Sequence, residues 1–172
     1  MSTRGVHAAS TKPVLPRVTL RLIVRHPVPG VELRVQRGRD GLLAPSEVSA
    51  NAVTFEFSLD VQTRADGSAA LRGPEVQGPP AARFVYVTVG TRAGQADSPW
   101  DRRAKVPLAG LGAALVATAV ERPGTLLVAA IEGRGRDGTP ACASIPLLGD
   151  GWSIVSPGVS RVPDSPPSPG HV

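Results

Sequence analysis

The sequence predicts a mainly β fold: a single antiparallel β-sandwich or open barrel with one short helix near residues 110–121. Three observations support this class. Apolar and polar residues alternate with a period of two through the first half of the chain, turns containing Gly or Pro recur at intervals of about ten residues, and only one segment has helical spacing. Short, regularly spaced strands are typical of sandwiches and barrels.

The first half of the chain contains three strands with clear alternation. Two are predicted at residues 18–26 and 31–37, and the HPVPG sequence between them is expected to form a short turn that pairs them as an antiparallel hairpin. The third, at residues 53–62, has one dry and one wet face, which is typical of an antiparallel sheet. Its inward-facing side chains are Val53, Phe55, Phe57, Leu59 and Val61.

The second half of the chain adds the helix and the remaining strands. Residues 110–120 are rich in alanine, place Leu111, Leu115 and Ala119 at helical spacing, and precede a Pro-Gly pair that ends the helix. Residues 125–133 are apolar on both faces, which predicts a buried strand. Further strands are predicted at residues 69–72, 83–91, 104–110, 141–148 and 151–155.

The length of the chain predicts one domain, residues 17–155, between two tails. Residues 1–16 and 156–172 are small, polar and proline-rich without apolar periodicity, so both are predicted to be disordered. The remaining core of about 140 residues is large enough to bury about two-thirds of its unfolded surface.

Charge and composition narrow the classes of partner. The net charge is +5, but basic residues are scattered among acids, which argues against a nucleic-acid surface. Phe84 and Tyr86 could stack bases on one strand face, and we interpret them as packing residues instead. No continuous apolar segment follows Arg4, so no signal sequence is predicted, and the longest helix-like apolar run is about half the length of a membrane span. We therefore predict a soluble cytoplasmic protein with no membrane partner.

Metal and catalytic motifs are sparse. The three histidines, His7, His26 and His171, have no partners at metal-ligand spacing, so no metal and no cofactor is predicted. Cys142, the single cysteine, lies between alanines beside an apolar strand and is interpreted as a small core residue. The glycine-rich segment 133–138 lacks the Lys-Ser/Thr of a P-loop and is interpreted as a turn. Whether the protein is an enzyme stays open.

One region, residues 73–107, concentrates cationic, aromatic and hydrogen-bonding side chains. Long loops in compact domains often carry function, and Arg and Trp anchor interfaces and bind anions. The alternative is that Asp97, Asp101 and the arginines hold the loop in place through ion pairs. The candidate binding residues are Gln77, Arg83, Tyr86, Gln95, Asp97, Trp100, Arg102, Arg103 and Lys105.

Several motifs in and beyond this region resemble those of a known family. They are VQGPP (76–80), RFVY (83–86), AGQ (93–95), W-x-R-R-x-K-V-P-L (100–108) and DGTPACASIP (137–146). The family comprises small bacterial proteins and is catalogued as a domain of unknown function. The resemblance covers most of the predicted domain and implies no activity. The chain departs from the pattern at Glu75, where the family tends to have an aromatic residue.

Three functional hypotheses follow. The first is a binding module for an unknown small molecule or protein, with arginines and Lys105 of the 73–107 region supplying positive charge. The second is a cofactor-independent enzyme acting on a small anionic substrate, with Asp97 or Asp101 as the base. The third is a structural subunit of a homo-oligomer that packs through an apolar patch around Trp100.

Overall fold

Two mixed β-sheets and one short helix form the part of the chain that the computed structural model describes, residues 15–90 and 102–156. The predicted mainly β class is therefore confirmed. The elements are β1 (Arg17–Arg25), β2 (Glu32–Arg37), β3 (Gly41–Leu43), β4 (Glu47–Val48), β5 (Ala52–Thr63), β6 (Ala69–Arg72), β7 (Phe84–Gly90), β8 (Arg102–Pro107), α1 (Ala113–Glu121), β9 (Leu126–Glu132), β10 (Ala143–Ser144) and β11 (Ser153–Val155).

The first sheet has six strands in the order β11-β9-β1-β5-β4, and β6 pairs with the same edge of β5 as β4 does. Strand β1 runs antiparallel to β5 and parallel to β9. The period-two pattern places the apolar side chains of β1 and β5 on one face, where Leu20, Phe55 and Leu59 are fully buried.

The second sheet has five strands in the order β10-β8-β7-β2-β3, with β10 parallel to β8 and the other pairings antiparallel. Its buried face carries Val35, Val85 and Val106, and these side chains join those of the first sheet in a single apolar core. Each sheet has two ends in this part of the chain, so the arrangement is sandwich-like and does not close into a barrel.

The predicted hairpin of the first two strands is wrong, although both strands form. Strands β1 and β2 lie in different sheets, so the HPVPG segment connects the sheets instead of closing a ladder. His26 and Gly30 turn the chain there with φ of 54° and 84°. The apolar faces of β1 and β2 both contact the core, because the two strands lie in opposite sheets on either side of it.

The other differences concern strand direction and length. Alternation led us to expect antiparallel pairing throughout, but the β1–β9 and β8–β10 pairs are parallel. Strands β3 and β4 were not predicted, because at three and two residues they are too short to show a period. Strands β10 and β11 are shorter than predicted, and β8 ends at Pro107, before the predicted end at residue 110.

Helix α1 contacts β1, β9 and β11. Its Val116 and Ala119 are buried in the core, whereas the predicted Leu111 and Leu115 are half-buried. At nine residues α1 is too short to cross a membrane, and the described residues contain no other helix that could. The tails predicted to be disordered lie almost entirely outside the described ranges, so that prediction is not tested.

Candidate functional site

A cleft of about 700 Å³ opens at the end of the second sheet, where β7 begins and β8 ends. Small-molecule sites in proteins commonly have volumes of about 300–1,000 Å³. Three segments line the cleft: residues 79–84, 105–109 and 144–146. Most of the lining side chains are proline, alanine or other apolar types. The charged ones are Arg83 and Lys105, and none of the described lining residues is acidic.

The first wall is the loop 78–83, which is closed at its base by a backbone bridge between Gln77 and Phe84. Gly78 has φ of 90°, and a Cβ there would lie 2.5 Å from Cε2 of Phe84, so only glycine fits. The guanidinium Nη1 of Arg83 donates to the Gly78 carbonyl oxygen at 2.6 Å. The VQGPP and RFVY motifs therefore form one unit, in which the loop, the aromatic ring and the arginine support one another.

The second wall is the end of β8 and the turn that follows it. The Leu108 amide donates to the Arg83 carbonyl at 3.0 Å, which joins this wall to the first. Behind it the buried indole of Trp152 donates through Nε1 to the carbonyl of Pro107 at 3.3 Å. Hydrogen bonds on both sides thus fix the position of Pro107 at the cleft.

The third wall comes from β10 and the residues after it. Ser144 lies beside Lys105 in parallel register, and the Ile145 amide donates to the Lys105 carbonyl at 3.1 Å. Ala143, immediately before Ser144, has φ of 66°, a left-handed conformation that costs an alanine about 1 kcal/mol. Strained backbone of this kind is found preferentially at functional sites, which favours a binding role for the β10 edge of the second sheet.

Two aromatic rings and two cations alternate on the outer face of the second sheet beside the cleft. Phe84 and Tyr86 meet edge to face, with centroids 4.9 Å apart. Lys105 Nζ lies 4.4 Å from the Phe84 centroid, and Arg103 Cζ lies 4.9 Å from that of Tyr86. Such cation–π contacts hold the cations over the rings. Phe84 and Lys105 line the cleft, whereas Tyr86 and Arg103 do not.

The structure brings together part of the predicted site. Arg83 and Lys105 line the cleft, Tyr86 and Arg103 lie next to it, and Gln77 is half-buried at the base of the loop. Outside the described residues lie Gln95, Asp97 and Trp100, together with the side chain of Arg102, so their roles stay predictions.

Sequence reasoning missed the third wall, residues 144–146, because parallel pairing of β10 with β8 joins segments that are far apart in the chain. The only signal was the DGTPACASIP motif, which contains all three residues of this wall but does not indicate what they contact. The interpretation of Cys142 as a core residue is wrong: it is exposed, and the neighbouring Ala141 takes the buried position.

No three His, Cys, Asp or Glu side chains in residues 15–90 and 102–156 come together as a group that could hold a metal ion. The one described histidine, His26, has its Nδ1 3.0 Å from the Glu132 carboxylate. His26 is exposed, Glu132 is half-buried, and neither lines the cleft.

A family model covers the whole described domain. Residues 18–155 match the model of a family of unknown function, DUF5990. The chain belongs to this family. The resemblance seen in the motifs is thereby confirmed at the level of the family, and the DUF5990 match includes all three walls of the cleft. No curated protein and no solved structure matches the chain, so DUF5990 membership by itself assigns no activity.

Proposed function

We propose that this DUF5990 domain binds a small amphipathic anion, with the apolar part of the ligand in the cleft and its charged group at Arg83 and Lys105. The observation that carries the proposal is the composition of the cleft, in which two cations stand on an otherwise largely apolar lining. Ligand sites typically combine an apolar wall with a few polar groups that fix orientation.

Arg83 is the better placed of the two cations to recognise an oxyanion. One end of its guanidinium is held by the Gly78 carbonyl, which fixes its position beside the cleft. A carboxylate, sulfonate or phosphate could accept hydrogen bonds from a guanidinium held in this way, and charge-assisted hydrogen bonds to arginine are strong and directional. Lys105, stacked on Phe84, adds a second positive charge at the same opening.

The two alternatives rest on residues outside the described ranges. An enzyme would need a proton acceptor near the bound substrate, and the candidates from the sequence are Asp97 and Asp101. An oligomer would pack through Trp100. Binding is therefore the function that the described geometry supports best. A cytoplasmic location is retained in the proposal on the strength of the sequence alone.

The proposal can be tested with anilinonaphthalene sulfonate, an amphipathic anion that fluoresces in apolar sites, and decanoate as competitor. Two matched pairs of variants separate the cleft from its surroundings: Phe84→Ala against Tyr86→Ala, and Lys105→Met against Arg103→Met. Within each pair the two side chains occupy one strand face, but only the first lines the cleft.

We expect saturable binding by the wild type, displacement by decanoate, and a Kd raised about tenfold in the first member of each pair, equivalent to about 1.4 kcal/mol. The second members should stay within about threefold of wild type. Near-ultraviolet circular dichroism checks that each variant is folded, since loosely packed states also bind such dyes. Equal losses in both members of each pair would place the ligand elsewhere and refute the proposal.

A further inference from the structure

Arg83 lines two smaller pockets of about 210 and 230 Å³ in addition to the cleft. The first shares Ala81 and Ala109 with the cleft, and the second shares Leu71 with the first. The three spaces therefore adjoin one another at Arg83. A ligand that fills the cleft would have a second space within reach past Arg83.

The 230 Å³ space, called here the Arg72 pocket, has the composition of an anion site. Two of its five lining residues are arginines, Arg72 and Arg83, and the others are Leu71, Gly73 and Val76. None of these described residues is acidic. Arg72 is exposed and Arg83 is half-buried, so the positive charge of the wall belongs to side chains that solvent can reach.

The Glu75 carboxylate lies next to this pocket without lining it. Oε1 of Glu75 is 3.3 Å from the position that a Cβ on Gly73 would take, and Oε2 lies 3.4 Å from Nε of Arg37. The charge of Glu75 is therefore paired with an arginine outside the pocket. The guanidinium groups of Arg72 and Arg83 keep their positive charge for an incoming group.

We propose that the Arg72 pocket is a second subsite that binds a compact oxyanion, and that the natural ligand accordingly carries two separated anionic groups. The second half of this statement rests on the proposed function of the cleft. Either a carboxylate or a phosphate could be this oxyanion, since both present oxygens that a guanidinium can bind through parallel hydrogen bonds. The small volume excludes a bulky group and suits such a terminal anion.

The first experiment measures binding of inorganic phosphate by its effect on the melting temperature, at ionic strength held constant with sodium chloride. A ligand that binds only the folded state raises the melting temperature by mass action. We expect a saturable rise in the wild type and at least a fivefold weaker apparent affinity in Arg72→Gln. Arg64→Gln is the matched control, because Arg64 lines the neighbouring pocket of about 210 Å³ but not the Arg72 pocket. Equal phosphate affinity in wild type and Arg72→Gln would overturn the subsite.

The second experiment asks whether one ligand spans both sites. A series of α,ω-dicarboxylates of increasing length is compared with the monocarboxylates of the same length by displacement of anilinonaphthalene sulfonate. We expect one length to bind about tenfold more tightly than its monocarboxylate, and this advantage to vanish in Arg72→Gln. No length-dependent advantage, or one that survives Arg72→Gln, would contradict a two-headed ligand.

These results separate the two proposals. If Phe84→Ala and Lys105→Met leave dye binding unchanged while Arg72→Gln removes phosphate binding, the cleft proposal fails and the anion pocket stands. If Phe84→Ala and Lys105→Met weaken dye binding as expected but Arg72→Gln leaves the phosphate affinity unchanged, the cleft proposal stands and the second subsite fails.

Discussion

The substitution Glu75→Met is expected to stabilise the protein. Glu75 is 4% exposed, and its Oε1 has no hydrogen-bond partner among the described residues. A buried, unsatisfied polar atom costs about 1–3 kcal/mol. Against this gain stands the loss of the contact with Arg37, whose side chain is 51% exposed, so solvent screening limits that loss to about 0.5–1 kcal/mol.

The balance is a gain of up to about 2.5 kcal/mol, which raises the melting temperature by about 2–4 °C per kcal/mol for a domain of this size. Removing the other partner of the ion pair, with Arg37→Met, should be destabilising by about 1–3 kcal/mol, because it leaves a buried carboxylate without its countercharge. In the Glu75→Met background the same Arg37→Met change should cost less than about 0.5 kcal/mol, since there is no charge left to compensate.

Urea unfolding followed by tryptophan fluorescence measures all four proteins, because Trp152 is buried in the folded state. Equal slopes of free energy against urea would show that the variants unfold from comparable folded states. The reasoning would be refuted by a clear loss of stability in Glu75→Met at unchanged slope, or by an equal cost of Arg37→Met in both backgrounds.

Three further predictions use other parts of the molecule. Gly78→Ala should destabilise by about 2 kcal/mol or more in urea unfolding and weaken dye binding, because its Cβ would collide with the Phe84 ring and require φ of 90°. Phe55→Ala should cost about 3–5 kcal/mol in the same assay, since the ring is fully buried. The hydrogen bonds from Ser68 lower the pKa of Asp66 below 3.8, so its stabilising effect is present above that value and lost as the pH falls through the lowered pKa. Carboxyl titration by NMR should show this pKa rising in Ser68→Ala.

The sequence predicted the faces of the strands better than their neighbours. Alternation in β5 reports which side chains meet the core, because burial acts on each residue through the local pleat. It contains no information on which strand lies alongside, and so the link from β1 to β2 was misread as a hairpin. Pairing partners such as β1 with β9, more than a hundred residues apart, are set by the packing of the whole domain.

In the candidate site, too, residue types could be predicted from the sequence, whereas long-range contacts could not. Arg83 and Lys105 could be predicted because cations and aromatic residues are concentrated in their part of the sequence, and they do line the cleft. Ser144 could not, since it reaches the cleft only through a two-residue parallel pairing. The departure at Glu75 was visible in the sequence as a change of residue type, but its burial and its unsatisfied oxygen required coordinates.

Location, more than residue chemistry, distinguishes the cleft from the surface beside it. Phe84 with Lys105 and Tyr86 with Arg103 are two aromatic–cation pairs on adjoining strands, two residues apart along each strand. Among the described residues, the first pair lines the cleft together with residues of the loop 78–83 and of β10, whereas the second pair does not line it. A surface that bound polyanions by charge and stacking alone would use both pairs about equally, whereas a ligand held in the cleft must distinguish between them. Comparing the two pairs therefore separates a nucleic-acid-like surface from a small-molecule site with the side-chain chemistry held nearly constant.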